Sequence, residues 1–508
     1  MIQLLYESKI LYDLSLSLMN RYDLVIIGAG PSGFAAAMRA HDFKKKTLLI
    51  ERNTLGGAGI THGALSSKTW WELSRDVAHF KQHLKKYNLP DQPIHYTRIY
   101  DEVQLAIAER KTLLELQMQR FMNSASDYIE YMTGEAKVID PNHIEITRGS
   151  KQEIVFADHI ILATGSRPRY LPELPIDEKI VMTSNGIEQM TDFPESLVIV
   201  GAGVIGCEYA MIFSAFGHTK VYLIDKGKRI LPFEDDDVVQ IIQQNMESNG
   251  VIIHHNSRLI EMKILDDKVR YELEYDDGTR KSFDVEKALV SVGRVPNIEN
   301  IVAPGLGLIM QKRGIEHQST KTNIPNIYAV GDLTSDISLV NVGELEGRHA
   351  VERIFGHPDR NLVYENISTI MFLNPEVAGV GMNEMQAREA GLNYRVAKVD
   401  YSTIPRAIAA RNTQGFIKLI TTDDPEMRIL GMKVIGHHAS SAIQAVALLI
   451  SMQKGIEELA ECVHPHPSII EGIQECVRML LGKSLLKPMA LGHCLSCRRW
   501  LDGKYVEM

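Results

Sequence analysis

The sequence predicts an α/β protein in which one strand–glycine turn–helix–strand unit occurs twice and is followed by a separate α+β domain. The first unit is YDLVIIGAGPSGFAAAMRAHDFKKKTLLIER, residues 22–52, and the second is SLVIVGAGVIGCEYAMIFSAFGHTKVYLIDK, residues 196–226. Their strands are uninterrupted apolar runs, as in a parallel sheet that is covered on both faces. Two such units predict two Rossmann-like domains, each able to bind a dinucleotide. A stretch typical of antiparallel strands follows the second unit, and strands and helices alternate from about Asn361.

Length, charge and cysteine content limit the possible classes of protein. A chain of 508 residues exceeds what one hydrophobic core usually serves, so several domains are expected. The net charge is −9 without long blocks of like charge, which argues against nucleic acid as a partner. Five cysteines are too few for a secreted disulfide framework, so a cytoplasmic location is expected. No apolar run is long enough for a transmembrane segment.

The first glycine loop has the pattern G-x-G-x-x-G, formed by Gly28, Gly30 and Gly33 between a strand and a helix. The first glycine permits the tight turn, the second lets a pyrophosphate approach the backbone, and the third lets helix and strand pack closely. The phosphates then lie at the positive N-terminus of the helix. Glu51 ends the next strand, where a carboxylate accepts hydrogen bonds from ribose hydroxyls. Because strand, helix and acid are all present, we prefer a dinucleotide site over a purely structural turn.

The second glycine loop repeats the pattern with Gly201, Gly203 and Gly206, and Asp225 takes the position of the acid. A carboxylate there binds a free 2′-hydroxyl and repels a 2′-phosphate, which favours NAD over NADP. Three cations follow directly, and they are Lys226, Lys228 and Arg229. We interpret them as a solvated basic turn, and the alternative is that they bind a 2′-phosphate.

Three short motifs accompany the two glycine loops, namely ATG at 163–165, GRVPN at 293–297 and AVGD at 329–332. In this order the motifs resemble those of the pyridine nucleotide–disulfide oxidoreductase family, from about Tyr22 to about Leu486. Within the family, dihydrolipoamide dehydrogenase and the soluble transhydrogenase are most similar. The resemblance implies FAD on the first unit, NAD(P)H on the second, and a C-terminal dimerisation domain that makes the protein a homodimer.

The resemblance also divides the chain and assigns cofactor contacts. The expected segments are an N-terminal extension (1–20), a FAD-binding domain (21–167 and 291–358), a NAD-binding domain (168–290), a dimerisation domain (359–486) and a C-terminal tail (487–508). The expected FAD contacts are Gly28, Gly30, Pro31, Ser32, Gly33, Glu51, Arg52, Gly57, Lys68, Ala163, Thr164, Gly165, Gly331 and Asp332, the last holding the ribityl chain. The expected NAD contacts are Gly201, Gly203, Val204, Ile205, Gly206, Glu208, Asp225 and Gly293.

The loop LGGAGITHGALSSK, residues 55–68, departs from the family pattern at its centre. Dithiol members of the family carry two cysteines five residues apart in this loop, where this chain has Gly59 and Ala64. Neither residue forms a thiolate or a mixed disulfide, so the usual route from flavin to a disulfide is absent. The surrounding pattern is kept, including Lys68, and Glu208 matches the family partner of that lysine.

Two pairs of residues near the C-terminus carry further candidate chemistry. His466 and Glu471 in HPHPSIIE match the acid–base pair of dithiol members, and an imidazole suits that role because its pKa lies near neutrality. Here the pair either protonates another acceptor from the opposite subunit or is a packing remnant. Cys494 and Cys497 form a C-x-x-C that is read as part of an exposed tail, as a redox pair, or as half of a zinc site. No metal site is predicted, because no second C-x-x-C exists.

Together these observations predict a homodimeric, FAD-dependent NAD(P)H oxidoreductase that prefers NADH to NADPH. Its electrons leave the flavin for a small-molecule acceptor that is not a loop disulfide, such as a second nicotinamide, a quinone, oxygen or a dye. The first alternative is a thiol–disulfide or metal-ion reductase that works through Cys494 and Cys497. The second alternative is a degenerate flavoprotein with a binding role, against which the intact glycine loops argue.

Overall fold

The computed structural model describes residues 20–90, 92–123, 128–311, 313–334, 337–356 and 361–508. Nearly all of the predicted N-terminal extension lies outside these ranges. The described chain forms two compact units. The first takes in the described residues up to Trp70 together with Thr97–Arg169 and Gly293–Leu362. The second takes in Trp71–Tyr96, Tyr170–Val292 and Val363–Met508.

The strands and helices follow the alternation that the sequence predicts. The strands are β1 (Arg21–Ile27), β2 (Thr47–Glu51), β3 (Ile129–Thr133), β4 (Glu135–Val138), β5 (His143–Arg148), β6 (Lys151–Leu162), β7 (Ser166–Pro168), β8 (Val181–Met182), β9 (Ser196–Val200), β10 (Lys220–Ile224), β11 (Ile252–His254), β12 (Ser257–Leu265), β13 (Lys268–Tyr275), β14 (Arg280–Val285), β15 (Lys287–Val290), β16 (Arg294–Pro296), β17 (Met310–Gln311), β18 (Gly314–Ile315), β19 (Ile327–Ala329), β20 (Ser368–Met371), β21 (Val377–Gly381), β22 (Tyr394–Asp400), β23 (Phe416–Thr422), β24 (Ile429–Ile435), β25 (Leu495–Leu501) and β26 (Lys504–Glu507). The α-helices are α1 (Pro31–Asp42), α2 (Ala58–Thr61), α3 (Ala64–Lys86), α4 (Tyr96–Met122), α5 (Val204–Phe216), α6 (Asp236–Ser248), α7 (Val340–Phe355), α8 (Glu384–Glu389), α9 (Pro405–Ala409), α10 (Ala439–Ala442), α11 (Gln444–Ser451), α12 (Glu457–Ala460) and α13 (Glu471–Leu480). Among the residues described, no helix is long and apolar enough to span a membrane.

The first unit is built on a sheet of seven described strands in the order β3-β2-β1-β6-β5-β4, with β19 also paired to β6. Strand β1 pairs in parallel with both β2 and β6, so the end of β1 lies between two neighbours. Helix α1 begins at Pro31, a position where the missing N–H of proline costs nothing. It packs on α7 so closely that a Cβ at Gly347 would lie 2.1 Å from the Ser32 carbonyl oxygen. This arrangement confirms the first Rossmann-like domain.

The second unit contains a parallel sheet whose described strands have the order β11-β10-β9-β15-β8. Helix α5 follows β9 directly and ends at Gly217, whose φ of 75° suits a residue without a side chain. Strands β12, β13 and β14 form a separate antiparallel sheet, as the sequence after the second glycine loop predicts. The parallel sheet confirms the second Rossmann-like domain.

The C-terminal part of the second unit is an antiparallel sheet with the order β20-β21-β24-β23-β22-β25-β26 over the residues described. Helix α13 covers it and buries Ile473, Cys476 and Val477 in its core. The core continues into Leu419 and Val434 of the central strands. An α+β domain of this kind is the third predicted part of the fold.

The expected C-terminal tail is instead a β-hairpin. Strand β25 pairs with β22, from Val399 opposite Leu495 to Tyr394 opposite Trp500, and β26 returns along β25. The turn has Asp502 at φ 48° and Gly503 at φ 85°, the left-handed pair of a type I′ hairpin. Residues 495–507 of the expected exposed tail therefore form two strands of the C-terminal sheet and the turn between them. The Asp-Gly dipeptide at 502–503 is the sequence signal for this hairpin.

Candidate nucleotide and redox sites

The first glycine loop owes its shape to two close backbone approaches. A Cβ at Gly33 would lie 1.8 Å from the Gly28 carbonyl oxygen, and one at Gly28 would lie 2.3 Å from the Ala163 carbonyl oxygen. A side chain fits at neither position. By contrast, a Cβ at Gly30 would meet no atom within 4 Å, so this glycine borders open space at the N-terminus of α1. The loop therefore offers a cradle of the kind that a pyrophosphate occupies.

Glu51 holds this loop from the end of β2. Its two carboxylate oxygens accept the backbone N–H groups of Ala29 and Asn53, each at 2.8 Å. The side chain is nearly buried, at 8% exposure. The carboxylate is thus fixed beside the glycine loop, in the position expected for an acid that binds a ribose.

The second glycine loop repeats each of these features in the second unit. A Cβ at Gly206 would lie 1.9 Å from the Gly201 carbonyl oxygen, while one at Gly203 would meet no atom within 4 Å. The Asp225 carboxylate accepts the N–H groups of Ala202 and Gly227, each at 2.6 Å. The two loops therefore use one design, and both fit a dinucleotide.

The basic residues after Asp225 divide into two kinds. Arg229 is ion-paired with Asp236 and also donates to the carbonyl oxygens of Pro232, at 3.0 Å, and Glu234, at 2.9 Å. Its guanidinium shapes the turn through these bonds and is thus less solvated than the sequence interpretation of a solvated basic turn expects. The side chains of Lys226 and Lys228 are exposed.

The motifs ATG, GRVPN and AVGD meet in the first unit through side-chain hydrogen bonds. Thr164 Oγ1 donates to the Asn297 carbonyl oxygen at 2.7 Å, and Asn297 Nδ2 donates to the Thr164 carbonyl oxygen at 2.9 Å. Ser166 Oγ donates to Asp332 Oδ2 at 2.6 Å, and Arg294 Nε donates to Ser166 Oγ at 2.8 Å. The expected ribityl acid is therefore oriented by two residues that the sequence did not single out. Arg294 belongs to GRVPN and Ser166 directly follows ATG, but the sequence alone does not show that they bond to each other or that Ser166 bonds to Asp332.

The remaining residues expected to contact a cofactor lie in both units. In the first unit, the Gly331 N–H donates to Glu346 Oε2 at 2.6 Å, which fixes the backbone next to Asp332. Other expected FAD contacts also lie in this unit, and they are Pro31, Ser32, Arg52, Ala163 and Gly165. In the second unit, Val204 and Ile205 open helix α5. Gly293, expected with the NAD set, lies in the first unit.

The segment at 55–68, predicted as a loop, contains helix α2 and the start of α3, and its residues 56–59 lie directly on the first glycine loop. The Gly56 N–H donates to the Ala29 carbonyl oxygen at 2.8 Å, and a Cβ at Gly57 would lie 3.2 Å from Gly30 Cα. A Cβ at Gly59 would lie 2.7 Å from Pro31 Cγ, closer than real Cβ contacts come. Any side chain at position 59, a cysteine included, thus requires Pro31 or the loop to move. The backbone at position 59 therefore has a conformation that leaves no room for a Cβ atom.

Lys68 and Glu208 lie in different units of the chain. Lys68 is half-buried on helix α3, with its Nζ 3.3 Å from Ser67 Oγ. Glu208 is buried on helix α5 and accepts the Phe372 N–H at 3.0 Å. Their mutual pairing stays a prediction.

His466 and Glu471 are brought together as the sequence predicts. His466 Nδ1 lies 2.8 Å from Glu471 Oε1, and the second carboxylate oxygen accepts the Ser468 N–H at 2.8 Å. Partial burial alone would raise the Glu471 pKa, but the bonds from His466 and Ser468 bring that pKa below its usual range. The imidazole is 68% exposed. It is therefore held by a carboxylate and open to another molecule, an arrangement suited to proton transfer.

The five cysteines differ in their burial, and Cys462 is exposed. All five lie in the described ranges and are free, and Cys207, Cys476 and Cys497 are buried. Burial raises the pKa of Cys497 to about 11. Cys494 is partly exposed, with its Sγ 3.5 Å from Ser402 Oγ. Within the described residues no group of cysteine, histidine and carboxylate side chains is placed to hold a metal ion.

Comparison with known families decides the identity of the fold. Residues 22–347 match the pyridine nucleotide-disulphide oxidoreductase family, and residues 367–477 match the dimerisation domain of that family. The chain belongs to this family. Family members bind FAD and a pyridine nucleotide, which agrees with the two glycine loops. The expected enzyme class, an oxidoreductase, is confirmed.

Curated relatives of this pyridine nucleotide-disulphide oxidoreductase extend over nearly its whole length. Dihydrolipoyl dehydrogenase of Chlamydia muridarum (strain MoPn / Nigg) is 30% identical over 479 residues, covering 92% of this chain and 98% of the relative. Leghemoglobin reductase of Glycine max is 28% identical over 470 residues, covering 91% of this chain and 88% of the relative.

Solved structures share the fold. LpdA from Mycobacterium tuberculosis has a TM-score of 0.81 at 23% identity and covers 91% of this chain and 99% of its own. The Cu(II) complex of the HOCl-induced flavoprotein disulfide reductase RclA from Escherichia coli has a TM-score of 0.80 at 23% identity, covering 91% and 100%. These likenesses confirm the predicted architecture of two nucleotide-binding domains and a C-terminal domain.

Proposed function

We propose that this protein is a homodimeric, FAD-dependent oxidoreductase that takes electrons from NADH and passes them to an acceptor other than a disulfide. One observation carries the proposal, namely glycine and alanine at positions 59 and 64, where dithiol members of the family carry cysteines, in a segment whose first part lies on the first glycine loop. FAD, when bound, supplies a two-electron redox centre between NADH and the acceptor. The matching dimerisation domain supports the homodimer.

The residues of the first unit fit the binding of FAD. The open face at Gly30 and the N-terminus of α1 suit a pyrophosphate, and Glu51 is braced where an adenosine ribose would lie. Asp332, oriented by Ser166, presents a carboxylate for the hydroxyls of a ribityl chain. The second unit offers the same features to NADH through Gly203 and Asp225.

The placement of the cysteines argues against a disulfide route. Thiol–disulfide exchange needs an accessible thiolate and a partner cysteine. The chain has no cysteine before Cys207. Cys497 lies in the core of the C-terminal domain, and burial raises its pKa to about 11. These facts speak against the alternative in which Cys494 and Cys497 form the redox pair.

The exposed His466 supports a role in delivering protons to the acceptor. A quinone or similar acceptor takes up protons with its electrons, and an imidazole held by Glu471 can donate one. Such a group remains useful when no interchange thiol is present.

An acceptor screen tests the proposal. The purified yellow protein is reduced anaerobically with one equivalent of NADH and then mixed with a quinone, a thionicotinamide analogue of NAD⁺, oxygen, ferricyanide or lipoamide. We expect rapid reoxidation by at least one of the first four and none by lipoamide. Failure of NADH to reduce the flavin, or reoxidation by lipoamide alone, would contradict the proposal.

NADH should reduce the flavin far better than NADPH. Asp225 is held at the expected adenosine ribose by two N–H groups, and Arg229 is already occupied by Asp236. Like charges brought together cost several kcal/mol, so we expect a preference on the order of 100-fold in kcat/KM. Stopped-flow reduction with the two nucleotides measures it.

The matched variants are Asp225→Asn and Asp284→Asn. Asp284 is an exposed carboxylate in the same unit, paired with Arg270 at 2.7 Å. The preference should shrink in the first variant and persist in the second. A wild-type preference for NADPH would show that Lys226 or Lys228 binds a 2′-phosphate.

A further inference from the structure

A buried cluster of charges joins two distant parts of the second unit. Lys418, on strand β23, is 1% exposed. Its Nζ lies 2.8 Å from Asp235, 2.9 Å from Asp237 and 2.9 Å from Glu384, measured to one carboxylate oxygen of each. Burial alone would lower the Lys418 pKa, but the carboxylates raise that pKa above its usual range. Lys418 is thus a buried cation that holds the carboxylates of Asp235 and Asp237 next to that of Glu384.

A buried ion pair lies beside this cluster. Lys433, on strand β24, places its Nζ 2.7 Å from Glu234 Oε1. The Asp235 carboxylate also accepts the N–H groups of Glu384, at 3.2 Å, and Met385, at 2.9 Å, at the start of α8. The stretch at 234–237 is therefore held by strands β23 and β24 and by one helix start of the C-terminal domain, and Lys398 on β22 adds a longer contact to Asp237 at 3.4 Å. We call the six charged residues the Lys418 clamp, and they are Glu234, Asp235, Asp237, Glu384, Lys418 and Lys433.

The gripped stretch leads back to the second glycine loop. The Glu234 N–H donates to the Leu231 carbonyl oxygen at 3.0 Å, and the Leu231 N–H donates to the Ala202 carbonyl oxygen at 2.9 Å. Ala202 lies between Gly201 and Gly203. Its N–H is held by Asp225 and its carbonyl by Leu231, so the glycine loop is fixed from both sides.

The backbone conformation of Leu231 indicates that the surrounding structure holds this connection in place. It is fully buried and has a φ of 44°, in the left-handed region that a leucine rarely adopts. Such a conformation persists only where the surrounding structure holds it. The clamp begins three residues later, and between the two, Arg229 holds the carbonyl oxygens of Pro232 and Glu234.

The C-terminal hairpin completes the clamp. Tyr505, on β26, donates a hydrogen bond to Glu384 Oε2, which also accepts the Tyr394 hydroxyl at 3.0 Å. Tyr505 lies outside residues 367–477, the part that matches the dimerisation domain of the family. The last residues of the chain thus reach the clamp through Glu384, one of its six members.

We propose that the Lys418 clamp, completed by Tyr505, is a positioning device for the second glycine loop and sets the affinity of this loop for a nicotinamide dinucleotide. This inference rests on the proposed function in one respect, since it requires that loop to bind the dinucleotide. Lys418, Lys433 and Tyr505 are positioning residues that act through segment 231–237. The C-terminal domain then contributes to nucleotide binding within its own unit.

Binding of NAD⁺ tests the inference without any acceptor. The variants are Lys433→Met and Tyr505→Phe, which leave Lys418 in place, and Lys418→Met. Calorimetry with purified holoprotein should give a Kd for NAD⁺ raised about tenfold for both lysine variants and about threefold for Tyr505→Phe. The limiting rate of flavin reduction at saturating NADH should stay within about twofold of wild type, because the clamp positions the loop that binds the dinucleotide.

The matched control is Arg270→Met, which breaks the exposed pair with Asp284 on β13 and β14 of the same unit. Its Kd should equal that of wild type. Unchanged Kd values in Lys433→Met and Tyr505→Phe would overturn the inference, as would equal losses of FAD and of limiting rate, which indicate general damage. If wild type itself binds no NAD⁺, the proposed function fails first and this inference with it.

Discussion

Dihydrolipoamide should be oxidised with NAD⁺ at no more than about a thousandth of the rate at which the protein reduces its best small-molecule acceptor with NADH. Proteins named dihydrolipoyl dehydrogenase are among the relatives that match nearly the whole chain. Exchange with a dithiol requires an enzyme disulfide. Gly59 and Ala64 provide none, and Cys497 is buried with a pKa near 11.

The control is the double variant Cys494→Ser, Cys497→Ala, in which alanine avoids burying a hydroxyl in the core. Its rates with lipoamide and with the other acceptor should both match wild type. Substantial lipoamide activity in wild type that disappears in the double variant would make the C-terminal cysteines the redox centre. The hairpin would then have to open, since β25 is paired along its length with β22.

A valine at Gly30 should remove FAD, and a valine at Gly203 should remove NADH binding, while both proteins stay folded. A Cβ at either position meets no protein atom within 4 Å, and their φ values of −69° and −78° suit any residue. The added methyl groups enter the space that a pyrophosphate needs. We expect Gly30→Val to keep less than about a tenth of the wild-type flavin, and Gly203→Val to raise the Kd for NADH at least about 100-fold.

Absorbance at 450 nm relative to protein, circular dichroism and calorimetry give the readouts. The two variants control for each other, because each should lose one nucleotide and keep the other site intact. Full flavin content in Gly30→Val, or loss of flavin rather than of NADH binding in Gly203→Val, would show that the assignment of the two loops is wrong.

The parts of the fold that sequence predicts are those fixed by short-range constraints. At Gly33 and Gly206 a Cβ would overlap the carbonyl oxygen of a residue only five positions away, so the pattern itself encodes the geometry. Glu51 and Asp225 lie at the end of the next strand, a fixed distance along the same unit. His466 and Glu471 are likewise five residues apart and bond at 2.8 Å.

The parts that escaped prediction depend on distant residues. Lys418 meets Asp235 from 183 positions away, and no local pattern marks either as a partner of the other. Ser166 and Asp332 meet in the same way across 166 positions. The C-terminal hairpin combines both kinds of constraint. Its Asp-Gly turn is a local signal, but the pairing of β25 with β22 joins distant parts of the chain.

The electron capacity of the purified protein tests the central claim most directly. Anaerobic titration with dithionite counts the electrons that the protein takes up per bound FAD. A flavin accepts two electrons, and a redox-active disulfide accepts two more. Uptake of two electrons per FAD, complete in one phase, is the result expected for a flavin without a disulfide partner. Uptake of four would contradict it and reveal a redox-active disulfide.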